Sequence, residues 1–152
     1  MLPQIDRAQD CGMFRARWGL RMKDTFAFHM AVQAVRQRDE RYAPQAYAFL
    51  CDALGHTVRL LNREDTENHH VAGQELLVGF RDLALHEFGP MALVVMHEWG
   101  LRCSEDVGNM VYNFISTGYF GKNETDSLDD FSDGISFEDV LSKPYKRPKR
   151  RR

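Results

Sequence analysis

Residues 70–100, HVAGQELLVGFRDLALHEFGPMALVVMHEWG, decide how this chain is read. Leu76, Leu77, Phe80, Leu83, Ala84 and Phe88 recur at helical spacing, which predicts a helix over about 72–88 with one buried stripe. Gly89 ends that helix and Pro90 opens the next, as at a tight helix–helix corner. The following helix, 91–99, contains the unbroken apolar run Met91 to Met96 and is apolar nearly all round. It is therefore expected to be the core helix, stopped by Gly100.

Toward the N-terminus, two more helices follow from the same periodicity. Phe28, Ala31, Val32 and Val35 share one face of a helix over 26–38, with Asp24 or Thr25 able to cap it. Pro44 suits the first turn of the next, where Tyr47, Leu50, Leu54, Val58 and Leu61 form the stripe. Gly55 inside this helix costs about 1 kcal/mol against Ala unless it permits close packing. Residues 62–69 read as a polar loop. Toward the C-terminus, Ser104 with Glu105 and Asp106 opens a fifth helix whose Val107, Val111, Phe114 and Ile115 face inward. Gly118 closes it. Beyond lies an acidic loop, 123–134, with two readings: Tyr119-Phe120 pairs with Ile135–Phe137 as a short hairpin around it, or 126–132 forms a short helix. Ser136 and Asp139 have the spacing of a helix start.

The fold expected from this order is mainly α. It is a single domain of five to six helices, with a winged-helix-like C-terminal half and at most one short β-hairpin. Residues 1–23 form a basic leader for which disorder is one reading, 24–142 the helical domain and 143–152 a basic disordered tail. An apolar fraction of 43% and ten Phe supply a core and exclude a disordered body. Apolar runs of six residues are far too short to span a bilayer, so no membrane partner is expected. The N-terminus places charges where a secretory signal needs apolar residues, and Cys11, Cys51 and Cys103 are odd in number and far apart. Both point to the cytoplasm.

Charge is the most informative feature. Residues 24–142 hold 20 of the 22 acids but only 8 of the 20 bases, whereas 143–152, KPYKRPKRRR, hold seven bases and no acid. The tail residues Lys143, Tyr145, Lys146, Arg147, Lys149, Arg150, Arg151 and Arg152 are therefore the candidate nucleic-acid contacts, cations for phosphates and a ring for stacking. RNA or a ribonucleoprotein is the expected partner. The competing reading is that the tail covers the body's own acidic loop, from Glu124 to Asp139. Anionic lipid ranks last, because no strongly amphipathic helix adjoins the tail.

Asp39-Glu40-Arg41-Tyr42 with Ala46-Tyr47-Ala48-Phe49 begins a further pattern. His70-Val71-Ala72-Gly73-Gln74-Glu75-Leu76-Leu77, Phe88-Gly89-Pro90-Met91-Ala92 and Trp99-Gly100 continue it. Glu105-Asp106-Val107-Gly108, Asn113, Gly118, Lys122 and Asp126-Ser127 complete it. In these residues, over about 26–140, the chain resembles a small family of hypothetical proteins confined to the Verrucomicrobia and Planctomycetes. That resemblance implies a bacterial protein. The family carries no assigned activity, so the resemblance implies no reaction and no site. The leader and the tail depart from its pattern.

Other candidates weigh less. A helix-turn-helix reading of 91–117 would place the fifth helix in the major groove. Ser104 to Gly118 contains no Lys or Arg and two acids, which argues against contact with phosphates. His69, His70 and Glu75 lack the spacing of a helical metal site, and no cofactor is expected. Cys51 and Cys103 have no base placed near them and read as core residues. Arg41 and Arg81, each beside an acid and an aromatic, are candidates for an anion or partner contact, against the commoner role of tying helices together. Trp99 reads as a core anchor. These residues favour a non-enzymatic binding module. The alternatives are a protein–protein adaptor with no nucleic-acid role, and an enzyme with a pocket near Arg41, His70, Glu75 and Arg81.

Overall fold

A computed structural model describes residues 22–62, 71–120, 127–132 and 135–145. Among them the regular elements are all helical. They are α1 (Met22–Arg36), α2 (Pro44–Leu60), α3 (Gly73–Phe88), α4 (Ala92–Glu98), α5 (Ser104–Thr117) and α6 (Phe137–Ser142). Single 3-10 turns span Gly89–Met91, Leu128–Phe131 and Lys143–Tyr145. The leader before Met22 and most of the 62–69 loop lie outside the described residues.

α2 and α3 make the broadest helix–helix contact. The helical stripe of α2 is buried at Tyr47, Leu50, Leu54 and Val58, and that of α3 at Leu76, Phe80, Leu83 and Ala84. Their backbones approach at Gly79, where a β-carbon would overlap the Thr57 side chain and stand 3.2 Å from the Thr57 Cα. The Thr57 hydroxyl satisfies itself by donating to the Ala53 carbonyl at 2.7 Å, so it can be buried in this crossing. α1 packs against α5, with Phe28 edge-on to Phe114 at 6.2 Å between ring centres.

α4 differs from the expectation of a core helix. Only Ala92 and Met96 are buried, while Met91 and Val94 are more than half exposed. With two turns, α4 closes the end of the bundle with one face and leaves the other uncovered; an apolar run shows what could be buried, not what is. Its C-terminus is a Schellman close, with Gly100 N–H to His97 O at 3.0 Å and Leu101 N–H to Met96 O at 2.8 Å. Gly100 has φ +89°, and its missing side chain admits the Arg41 carbonyl.

The Ile135–Phe137 segment pairs with Arg102–Ser104 rather than with Tyr119-Phe120. Ser104 N–H donates to Ile135 O at 3.1 Å and Phe137 N–H to Arg102 O at 2.9 Å. The amides of Tyr119 and Phe120 turn back on the Phe114 carbonyl, closing α5, so that segment is not extended. Of the two readings of the acidic loop, the short helix matches the 3-10 turn Leu128–Phe131, started by Ser127, whose hydroxyl accepts from Asp129 N–H at 3.2 Å. Phe131 is buried over Gly108, and its carbonyl accepts from the Ser104 hydroxyl at 2.9 Å. Helical structure also continues beyond the expected tail boundary, through Lys143–Tyr145.

The crossing predicts a specific coupling. Gly79→Ala should destabilise the protein by ~1–3 kcal/mol in urea unfolding. Adding Thr57→Ala should restore part of that loss. Additive losses in the double-mutant cycle would show that the two residues do not meet.

Candidate functional site

Two places gather polar chemistry. The first is a clasp between the α1–α2 loop and α5. Arg41 is paired with Asp39 through both nitrogens of its fork, Nε to Oδ1 at 2.8 Å and the terminal nitrogen to Oδ2 at 2.7 Å. The guanidinium also lies 5.1 Å from the centre of the Tyr42 ring. Asn113 on α5 donates to Asp39 at 3.0 Å and to the Tyr47 hydroxyl at 3.1 Å. Tyr42 donates to Asp106 at 2.7 Å, and the other oxygen of Asp106 accepts the Arg102 N–H at 2.8 Å. Thus one carboxylate holds the loop and another holds the start of α5.

The electrostatics follow from these contacts. The Arg41 hydrogen bond holds the Asp39 carboxyl well below its ordinary pKa, against the opposing effect of burial. The same pair raises the Arg41 pKa. Burial raises the pKa of the Tyr42 and Tyr47 phenols. Arg41 is therefore held by Asp39 in an ion pair, with its side chain 62% exposed.

The second place is a cleft of about 410 Å³ on the α2–α3 side. Phe49, Leu83, Phe88 and Trp99 form its apolar wall, and Asp52, Arg59 and Glu87 stand among its polar lining. The three aromatic rings form a closed set, with Phe49–Phe88 and Phe49–Trp99 both 5.6 Å and Phe88–Trp99 5.7 Å between centres. Asp52 has its pKa raised, first by desolvation and then by the charge of Glu87, with Arg59 opposing. Trp99 thus serves as an anchor for the core and as part of an open wall.

The pocket expected from Arg41, His70, Glu75 and Arg81 is not this cleft, whose lining contains none of them. Glu75 accepts the Ala72 N–H at 2.9 Å at the start of α3. Arg81 is exposed on α3 and makes no ion pair among the described residues. Its neighbour Asp82 instead pairs with His56 across the α2–α3 interface at 2.7 Å. His70 lies outside the described residues. Burial raises the pKa of both the Cys51 and Cys103 thiols, the opposite of an activated nucleophile. Among the described residues no group of three His, Cys, Asp or Glu side chains is placed to hold a metal ion, and no helix is long and apolar enough to cross a membrane.

Of the tail candidates, Lys143 and Tyr145 are described, both exposed. The Tyr145 hydroxyl lies 3.7 Å from the position a β-carbon would take on Gly89, which places it at the α3–α4 corner. Lys146, Arg147, Lys149, Arg150, Arg151 and Arg152 lie outside the described residues. The cleft itself was missed from sequence. Asp52 and Glu87 are 35 positions apart, and no local spacing connects them. Compared with protein-family models, curated proteins and solved structures, the chain matches none.

The Asp39 clasp predicts a pH effect of definite sign. A carboxyl with a depressed folded-state pKa contributes stability above its unfolded pKa of about 3.9 and loses it as pH falls toward the folded value. Stability should therefore decline below about pH 4. Asp39→Asn should lower stability at neutral pH by about 1–3 kcal/mol and flatten the acid limb. An unchanged limb in pH-dependent urea unfolding would remove Asp39 as its source.

Proposed function

We propose that the protein is a non-enzymatic binding module whose basic tail attaches an acidic helical body to RNA or a ribonucleoprotein. Charge segregation carries this reading: seven bases and no acid in 143–152, against 20 acids and 8 bases in 24–142. Repulsion keeps the body off phosphates, and the tail supplies the attraction. The position of Tyr145 beside Gly89 supports a tail that leaves the body at the α3–α4 corner. In this reading Lys143 and Tyr145 steer at the body's surface, while Lys146 to Arg152 make most phosphate contacts.

The C-terminal half is winged-helix-like in this proposal and serves as a packing module. α5 has no Lys or Arg, and its Val107, Met110 and Phe114 are buried, which suits a structural helix better than a DNA reader. A protein partner would meet the body at uncovered apolar side chains. Phe26 and Met30 share a face of α1 with exposures of 68% and 51%, and Met91 and Val94 provide a similar pair at the α4 end. The adaptor reading without nucleic acid rests on those same pairs. Membership of the resembled bacterial family remains part of the proposal.

Binding of the full-length protein to single-stranded RNA should weaken with salt, with a log–log slope approaching about −5 if all seven tail cations meet phosphates. Replacing those seven with Gln should abolish retention while leaving helicity by circular dichroism unchanged. Equal retention by the Gln-tail protein would sink the proposal.

A further inference from the structure

The cleft lining holds two carboxylates, Asp52 and Glu87, and one cation, Arg59. Asp52 and Glu87 make no ion pair among the described residues, and burial and then the charge of Glu87 raise the Asp52 pKa, with Arg59 opposing. Beside them, Phe88 and Trp99 are only partly covered. An apolar wall with adjacent acids suits a long cationic side chain, which lays its alkyl stem on the rings and its charge against the carboxylates.

The chain has such a segment nearby. The described structure ends at Tyr145, whose hydroxyl meets the Gly89 corner, and Phe88, the next residue back, forms the cleft wall. Residues 146–152, KRPKRRR, follow Tyr145 in the chain. Extended, seven residues reach roughly 23–25 Å. Pro148 disfavours helix and so favours an extended strap. Glu138 and Asp139 on α6 are exposed acids that offer only solvent-screened attraction. The cleft adds partial desolvation and aromatic surface.

We propose that the cleft is a binding site for an extended cationic peptide, and that its occupant is the chain's own tail, Lys146–Arg152, laid along Phe88 and Trp99 with Asp52 and Glu87 as counter-charges. Docking is independent of any nucleic-acid role. Its consequence rests on the function proposed above: phosphates and the cleft compete for the same cations, so the cleft restrains nucleic-acid binding by the tail.

Zero-length carbodiimide coupling of the full-length protein tests this. Equal parts of nitrogen-15-labelled and unlabelled protein, mixed at low concentration, distinguish coupling within a chain from coupling between chains by mass spectrometry. Lys146 or Lys149 should couple to Asp52 or Glu87 within single chains, and high salt should remove the product. Coupling confined to Glu138, Asp139 or other surface acids overturns the proposal, as does no coupling or coupling only between chains. Asp52→Asn with Glu87→Gln should also tighten binding to a single-stranded RNA by about two- to fivefold, the range expected for losing a screened charge contact. Coupling at the cleft with no RNA binding by either protein supports docking and defeats only the RNA reading. RNA binding without cleft coupling defeats docking alone.

Discussion

The constraint on which the rest of the structure depends is the placement of the Asp39–Ala43 loop against α5 and the end of α4. Backbone and side chains both fix it. The Ala43 N–H donates to the Trp99 carbonyl at 3.1 Å, and the Arg41 carbonyl occupies the space left by the absent Gly100 side chain. Asp39 and Tyr42 then reach Asn113 and Asp106 on α5. Because Tyr42 and Tyr47 are almost wholly buried, their hydroxyls need these partners. The result joins α1, α2, α4 and α5 at one point, with Arg41 serving as a counter-ion within the joint.

The opposite side of α2 has a different character. Phe49 faces Phe80 at 4.9 Å between ring centres, and Phe80 in turn lies nearly parallel to Phe137 at 5.9 Å. This aromatic sequence carries the core from α2 through α3 to α6. Where it meets the surface, Phe88 and Trp99 leave a cleft with Asp52 and Glu87 at its edge. An acidic body can retain such a pair because both carboxylates keep contact with solvent and Arg59 offsets part of their repulsion. The Tyr145 hydroxyl stands at the Gly89-Pro90 corner, one residue beyond Phe88 of the cleft wall.

Periodicity made α1, α2, α3 and α5 legible, because each turns one apolar stripe inward and that stripe is a local property of the sequence. Gly89-Pro90 and Gly100 were legible for the same reason: backbone conformation at a helix end depends on a few adjacent residues. α4 was misread as the core helix because burial depends on what packs around a segment. Val94 and Leu93 are neighbours of similar character, yet Val94 is 51% exposed and Leu93 packs against the core. Phe131 was hidden in a loop that composition marked as acidic, although its ring is buried over Gly108. Arg41 was legible as a residue beside an acid and an aromatic, but its pairing with Asp39 rather than Glu40 is set by the folded loop.

The sequence by itself determined a helical chain, the places where its helices end, and an acidic body joined to a basic tail. Those properties come from neighbouring residues and from composition, so they need no knowledge of distant contacts. Tertiary structure alone decided that Asp39 and Asp106 would bind the α1–α2 loop to α5, that Ile135–Phe137 would pair with Arg102–Ser104, and that Asp52 and Glu87 would share a cleft. Each of these joins residues far apart in the chain. Which partners meet is set by how the apolar stripes pack and how close the backbones can approach at Gly79 and Gly100.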